Sequence, residues 1–137
     1  MTGSHDLDWA ELRRLGRSLN LPAVQEGQRS DGAPCLRAHG RVWTWWDRCE
    51  NAPGFRLPAD ERAFLIAADP FTFYVPADEI FYNNVLARPD RVSRCWILAN
   101  LSLGWRALAP SAFAALFAGE GPPVAQLADD RAPRPRG

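Results

Sequence analysis

Arginine and tryptophan crowd one short segment of the chain, Arg37 to Trp46, which reads RAHGRVWTWW. The segment holds three of the six tryptophans, and two arginines flank a His-Gly pair within it. Guanidinium groups bind phosphate oxygens and aromatic rings stack on unpaired bases, so these residue types together suit nucleic acid. We therefore look for a binding site first in this segment.

Charge is spread unevenly along the chain, although it sums to zero: sixteen arginines, with no lysine, match sixteen Asp and Glu. The protein thus lacks the overall positive field that supports non-specific nucleic-acid binding. Five arginines and three acids lie between Arg29 and Arg56, and four arginines and one acid between Arg88 and Arg106, whereas 57–82 has one arginine and five acids. If the two positive segments meet, the candidate nucleic-acid site comprises Arg37, Arg41, Arg48, Arg91, Arg94, Trp43 and Trp45. The alternative is that these arginines are ordinary surface charges over a tryptophan-filled core.

A second hypothesis uses the aromatic residues to bind a small molecule. Ligand pockets are mostly apolar and carry a few polar groups, and a planar aromatic ligand would stack between such rings. The candidate lining residues are Trp43, Trp45, Phe55, Phe73, Tyr82, Asn83, Asn84, Trp96 and Asn100. The competing interpretation is that most of these aromatic residues fill the core or a homodimer interface.

Catalysis has little support in the sequence. There is no GxSxG, HExxH, phosphate-binding glycine loop or dinucleotide fingerprint. His39 has no evident acid or base partner nearby, and the three cysteines are widely spaced without a CxxC pair. We expect no catalytic residue, no bound metal and no cofactor.

Periodicity and turn residues predict an α+β protein. The order is helix, three strands, helix, two strands, helix, which favours a two-layer fold with an antiparallel sheet. The predicted helices span Asp8–Leu19, Pro58 to the stop at Asp69-Pro70, and Ser111–Gly119. The predicted strands span Cys35–Ala38, Arg41–Asp47, Phe55–Leu57, Phe71–Val75 and Cys95–Leu101. The segments Gln25–Pro34 and Arg48–Gly54 are read as irregular connections, and 77–94 is left unassigned between loop and helix.

The central prediction is a tight hairpin at His39-Gly40, where glycine suits a positive φ. Regular alternation would then put Val42, Thr44 and Trp46 on one face of the second strand, and Arg41, Trp43 and Trp45 on the other. Both faces would carry bulky apolar groups. One must be core, and a helix, a partner subunit or a ligand would cover the other.

Length and composition favour a single domain over 1–119, followed by a Pro- and Arg-rich tail over 120–137 that we expect to be disordered. The beginning of the sequence does not resemble a secretory leader, and no apolar run is long enough to cross a bilayer. We expect a cytoplasmic protein without membrane contact.

Several segments resemble the MmcQ/YjbR-like family of small bacterial proteins. The similar segments are LPAVQE at 21–26, GAP at 32–34, RAHGRVW at 37–43, LPADER at 57–62, AADP at 67–70 and WILANL at 96–101. The resemblance implies an alpha-beta(3)-alpha-beta(2)-alpha fold similar to that of type III secretion chaperones. Family members are commonly described as DNA-binding because of wing-like hairpins, and one branch is associated with mitomycin resistance. No catalytic motif accompanies either description.

Three features depart from the family pattern. Arg41 stands where the family usually has lysine after glycine, which keeps the charge but changes the hydrogen-bond geometry. The stretch 77–94 is longer than usual. The sequence LGWRALAP at 103–110 resembles the end of the family's last helix but comes early in the chain.

Overall fold

The computed structural model describes residues 7–80 and 82–110, which form three helices and one six-stranded antiparallel sheet. The helices are α1 (Trp9–Ser18), α2 (Ala59–Ala68) and α3 (Arg94–Leu108). The strands are β1 (Val24–Gln28), β2 (Pro34–Ala38), β3 (Arg41–Asp47), β4 (Ala52–Arg56), β5 (Phe73–Tyr74) and β6 (Asn84–Ala87), and a short 3₁₀ helix spans Ala77–Glu79. The predicted α+β class and antiparallel sheet are confirmed.

The strands lie in the order β1-β2-β3-β4-β6-β5, and every neighbouring pair is antiparallel. The chain therefore has one strand more before α2 than expected. The interpretation of Gln25–Pro34 as an irregular connection is wrong for its first part, because β1 pairs along its whole length with β2. Gly27 is accommodated within this strand, and only Gly32, with a φ of 90°, serves a turn.

The predicted first helix is confirmed as α1. Asp8 caps it, since its side chain accepts a hydrogen bond from the backbone N–H of Glu11 at 2.9 Å. Leu12 and Leu15 are buried against the sheet. The helix ends before Asn20, which has a φ of 54°.

The prediction of a strand over Cys95–Leu101 is wrong, because this segment belongs to α3. Ser93 caps the helix by accepting a hydrogen bond from the N–H of Trp96. The buried residues Ile97, Leu101, Trp105 and Leu108 recur at intervals of four and three, which is a helical period. The predicted strand ends at residue 101 and so contains only Ile97 and Leu101, which are too few to show a helical period.

The predicted hairpin is confirmed, but the predicted alternation along β3 is wrong. His39 and Gly40 both have positive φ values, 56° and 80°, as a two-residue hairpin turn requires. Leu36 pairs with Thr44 and Arg37 with Val42, so Trp43 is an extra residue in β3, a β-bulge. The bulge shifts the alternation by one position.

Other predicted boundaries shift by a few residues. The strand expected over Phe55–Leu57 is β4, which begins at Ala52, and the strand expected over Phe71–Val75 is reduced to β5. Pro58 immediately precedes α2. The predicted Ser111–Gly119 helix and the tail lie outside the described residues.

The sheet has two different faces. On the helix face, residues of all three helices pack with Leu36, Trp43, Phe55 and Val85 in one large apolar cluster. On the outer face, Cys35, Trp45 and Leu86 form a second, smaller cluster with Val42 and Tyr74, and all of these are strand residues. None of the helices in the described ranges has the length and apolar character needed to span a membrane.

Candidate nucleic-acid interface

A row of directly paired residues crosses the outer face from one edge of the sheet to the other. In spatial order they are Gly27, Cys35, Trp45, Gly54, Leu86 and Tyr74. Directly opposite residues of antiparallel strands point to the same face, so these six share one surface. We call them the outer row. Two of the six are glycines, which leaves space on the sheet for large neighbouring side chains.

Trp45 fills the space beside Gly54 and is stacked against Arg29. A Cβ at Gly54 would overlap the indole ring, so the ring lies directly over the glycine. The guanidinium carbon of Arg29 is 4.7 Å from the ring centroid, within cation–π range. Trp45 is only 3% exposed.

The turn between β1 and β2 fixes the position of Arg29. Its backbone N–H donates to the carbonyl of Ala33 at 2.8 Å, and its own carbonyl accepts from Gly32 at 2.9 Å. Asp31 accepts a further hydrogen bond from the N–H of Ala33. The start of the Arg29 side chain is thereby held at the edge of the outer row.

A second arginine–aromatic pair lies at the other end of the row. The guanidinium carbon of Arg88 is 4.4 Å from the ring centroid of Tyr74. Burial, the nearby charge of Glu50 and a hydrogen bond with Glu50 raise the pKa of Tyr74 to about 12. Trp45 and Tyr74 are three strands apart, about 14 Å at the usual strand spacing.

Arg37 and Arg56 complete the positive groups of this face. Arg37 pairs across the sheet with Val42, and its Nη2 donates to the carbonyl of Gln28 at 3.0 Å. Arg56 follows Gly54 by two positions in β4, and its Nε donates to the carbonyl of Val42 at 2.6 Å. Burial, together with the nearby charge of Arg29, lowers the pKa of Arg56.

The described residues contain four ion pairs, which use Arg13, Arg14, Arg17 and Arg94. Arg29, Arg37, Arg56 and Arg88 take part in none of them. Acidic groups are present on this side of the molecule, since Asp47 and Glu50 act on Tyr74 and Asp31 acts on Cys35. None of them forms an ion pair with any of these four guanidinium groups.

The seven residues predicted for nucleic-acid binding do not form one patch. Arg37 and Trp45 lie on the outer face, and Arg48 lies against Gly32 in the β1–β2 turn. Arg41 is exposed beside the hairpin, whose His39 ring packs against Trp105 near the end of α3. Arg94 begins α3, and eleven residues of helix separate it from Trp105, about 16 Å.

Three of the predicted contact residues are already engaged within the fold. Trp43 cannot stack on a base, because it is 1% exposed beneath α3 and its Nε1 donates to the carbonyl of Leu101 at 2.9 Å. That part of the prediction is wrong. Arg94 is paired with Glu11 of α1, and Arg91 donates to Thr72 at 3.3 Å.

Sequence reasoning missed Arg29, Arg56 and Arg88 as site residues. All three lie within the positive segments, but their neighbours along the chain do not distinguish them. The one sequence signal for this site is that Gly54 and Arg56 lie at alternate positions of a strand and therefore share one face of the sheet. It can be interpreted only once β4 is known to pair with Trp45.

The alternative ligand pocket is divided between core and surface. Phe55 and Phe73 lie 5.0 and 4.7 Å from Trp96, measured between ring centroids, but both are buried in the core. Trp96 and Asn100 also line an open groove of about 360 Å³ between α2 and α3. The other groove residues are Leu57, Asp60, Glu61, Phe64, Leu65, Ala99 and Leu103.

The remaining candidates of that pocket lie elsewhere. Trp43 and Trp45 belong to the two apolar clusters of the sheet. Asn84 donates to Glu79 at 2.8 Å, the carbonyl of Asn83 accepts from the N–H of Leu57, and Tyr82 is exposed. The structure therefore brings only Trp96 and Asn100 of the nine to this groove.

Two other reactive side chains, Cys35 and His39, have pKa values shifted by burial. Burial raises the pKa of the Cys35 thiol, and the nearby charges of Arg37 and Arg29 oppose part of that rise. Burial lowers the pKa of His39. In residues 7–80 and 82–110, no three His, Cys, Asp or Glu side chains lie close enough together to hold a metal ion.

Comparison of the chain with protein-family models, curated proteins and solved structures gives no significant match. The resemblance to the MmcQ/YjbR-like family therefore stays a prediction.

Proposed function

We propose that this protein is a non-catalytic nucleic-acid-binding protein of the MmcQ/YjbR-like type, and that it holds a single strand across the outer face of its sheet. The observation that carries the proposal is the pair of arginine–aromatic stacks, Arg29 on Trp45 and Arg88 on Tyr74, at two points of one row. Both guanidinium groups lack a carboxylate partner among the described residues.

The chemistry of these groups matches a single strand better than a duplex. Because Trp45 is 3% exposed, a base would stack on the guanidinium plane of Arg29 that covers the ring, and unpaired bases stack on arginine planes as well as on aromatic rings. The stacks lie about 14 Å apart, which is far enough for two separate contacts. Arg56 lies on the same face and would contact a phosphate between them.

The test is binding of a fluorescently labelled oligonucleotide, followed by anisotropy at several salt concentrations. We expect salt-sensitive binding of single-stranded DNA or RNA, weakened about tenfold or more in Arg29→Ala/Arg88→Ala. The matched control is Arg13→Ala/Arg17→Ala, which removes two arginines that pair with Glu26 beside α1. Absence of binding, or an equal loss in both double variants, would refute the proposal.

The α2–α3 groove supports a second candidate function, binding of a small planar aromatic molecule. The groove volume of about 360 Å³ lies in the range of small-molecule sites. Trp96 and Phe64 offer aromatic surface, Asn100 offers an amide, and Asp60 and Glu61 line the same groove. The acidic groups favour a ligand with positive charge.

This candidate is tested by quenching of tryptophan fluorescence with planar aromatic cations. We expect saturable quenching that is lost in Phe64→Ala. Phe71→Ala is the control, because Phe71 is similarly exposed, at 72% against 78%, and does not line the groove. No quenching across a panel of such compounds would leave the groove without this role.

A further inference from the structure

The indole N–H of Trp45 is a buried donor without a partner. Trp45 is 3% exposed, and its Nε1 has no hydrogen-bond acceptor among the described residues. Buried tryptophan N–H groups usually find an acceptor, because an unmade hydrogen bond leaves the cost of desolvation uncompensated. In the same sheet, Nε1 of Trp43 does find one, the carbonyl of Leu101.

Arg56 brings further donors to the same place. Its Nε is bonded to the carbonyl of Val42, whereas no hydrogen bond or ion pair is found for its two terminal nitrogens among the described residues. Arg56 follows Gly54 by two positions on the same face, and the edge of the Trp45 ring that carries Nε1 lies over Gly54. The unused donor of Trp45 therefore lies over Gly54, and the Arg56 side chain starts two residues further along the same strand and on the same face.

Arg29 adds a second positive charge to this cluster. It lies over the Trp45 ring, and it is close enough to Arg56 for its charge to disfavour the protonated form of that side chain. Two like charges are thus held beside a buried donor, and neither has a carboxylate partner. Asp31, the nearest acid along the chain, accepts a hydrogen bond from the N–H of Ala33 and forms no ion pair with either arginine.

We infer that Arg29, Arg56 and the indole N–H of Trp45 form a binding site for one phosphate group on the outer face. A phosphate presents several acceptor oxygens, so it can accept from both guanidinium groups and, once the ring shifts enough to expose its buried nitrogen, from the indole N–H. It would neutralise the two facing charges and give the buried indole its missing acceptor. The identification of this group as a backbone phosphate rests on the proposed nucleic-acid function, whereas the site itself does not.

Gly54 is a positioning residue for this site. Because it has no side chain, the Trp45 ring can lie on the sheet with its nitrogen next to β4. A larger residue at 54 would displace the ring and remove the donor, although both arginines would remain.

The experiment is a titration of the protein with inorganic phosphate, followed by the indole N–H resonances in ¹H–¹⁵N spectra. The Trp45 resonance is assigned as the one missing from Trp45→Phe. We expect it to shift saturably with phosphate but not with sodium chloride at matched ionic strength. We also expect Arg56→Met to weaken binding about tenfold or more, because it keeps the stem and removes the charged donors.

Two further variants distinguish loss of this site from a general loss of positive charge and from misfolding. Arg37→Met removes a cation of the same face whose Nη2 is already bonded to Gln28, and it should bind phosphate almost normally. Arg29→Met removes a charge at the β1–β2 turn and should weaken binding even if Arg56→Met folds poorly. No saturable shift, an equal shift with chloride or acetate, or an equal loss in Arg37→Met would overturn the inference.

The same titration distinguishes this inference from the proposed function. A saturable phosphate shift in a protein that binds no oligonucleotide would refute the proposed function and retain the site. The opposite result would refute the site and retain the function. In that case the Trp45 resonance does not shift with phosphate, and oligonucleotide binding is unchanged in Arg56→Met.

Discussion

The ring of Trp45 occupies the space that a side chain at Gly54 would need. The two residues are directly opposite each other across β3 and β4, and a Cβ at Gly54 would overlap three atoms of the ring. The indole therefore lies on the sheet itself and packs with Cys35 and Leu86. In this way the outer face buries a tryptophan within a cluster of strand residues.

Substitution Gly54→Ala tests this relationship. The added methyl group forces the indole out of its position, and overpacking of this kind costs about 1–3 kcal/mol. We expect that loss in the free energy of unfolding measured by chemical denaturation. We also expect a change in tryptophan fluorescence of the folded protein.

The control for this substitution is Gly27→Ala in the same row. The nearest atom to a Cβ there is Nε of Arg37 at 3.3 Å, which belongs to a flexible side chain that can move. We expect the free energy of unfolding to change by about 0.5 kcal/mol or less. Equal effects of the two substitutions would contradict the overlap of Trp45 with position 54.

The sequence predicted those parts of the fold that depend on neighbours along the chain. The His39-Gly40 turn and the Asp8 cap are set by a few adjacent residues, and both are found. The bulge at Trp43 could not be predicted in this way, because it depends on how β2 aligns with β3. That single extra residue moves Trp43 and Trp45 to opposite faces of the sheet.

The candidate site depends on contacts between distant parts of the chain. Arg29, Arg56 and Arg88 reach the outer face from the β1–β2 turn, from β4 and from the end of β6. Local charge counts identified the segments but not the residues. In the sheet, β6 lies between β4 and β5. This strand order brings Tyr74 and Arg88 to the outer row.

Arg62 is expected to be essential for stability, although it lies in the acidic part of the sequence. It is 6% exposed, and its guanidinium donates to the backbone carbonyls of Ile80, Tyr82 and Asn84. Arg62→Met leaves these carbonyls without their charged donor, so we expect a loss of about 3 kcal/mol in the free energy of unfolding. Thermal or chemical denaturation measures this directly.

Two further variants serve as controls for Arg62→Met. Arg62→Lys should recover only part of the loss, because one ammonium group cannot reproduce the planar fork of donors. Arg91→Met removes an exposed arginine with a single 3.3 Å bond to Thr72 and should change stability by about 0.5 kcal/mol or less. Full recovery with lysine would mean that charge alone, rather than the donor geometry, is required.

The stability of the protein should fall on mild acidification because of His39. Burial lowers the pKa of His39 in the folded state, and a hydrogen bond with the Trp105 backbone opposes part of that change, whereas the unfolded chain has a value near 6.5. Below about pH 6.5 the unfolded state binds a proton that the folded state resists, so stability decreases from there down to the folded pKa. Above that range both states are neutral at this residue and the effect is absent.

His39→Asn tests the pH effect without breaking the turn. Asparagine tolerates the positive φ at this position and forms a favourable turn with Gly40. We expect the decrease in Tm between pH 7.5 and 5.5 to be smaller in the variant than in the wild type. An identical decrease in both proteins would show that other groups cause it.

The glycines of α1 and α3, Gly16 and Gly104, should respond in opposite ways to alanine. A Cβ at Gly104 in α3 would make ordinary contacts with Trp43, at 3.4 and 3.5 Å, whereas a Cβ at Gly16 in α1 would lie 2.6 Å from Cδ1 of Leu36. Alanine is favoured over glycine in a helix interior by about 0.5–1 kcal/mol. We therefore expect Gly104→Ala to raise the free energy of unfolding by about that amount, and Gly16→Ala to lower it because Leu36 must move. A loss of stability in Gly104→Ala would contradict the helical conformation of residue 104 and its packing against Trp43.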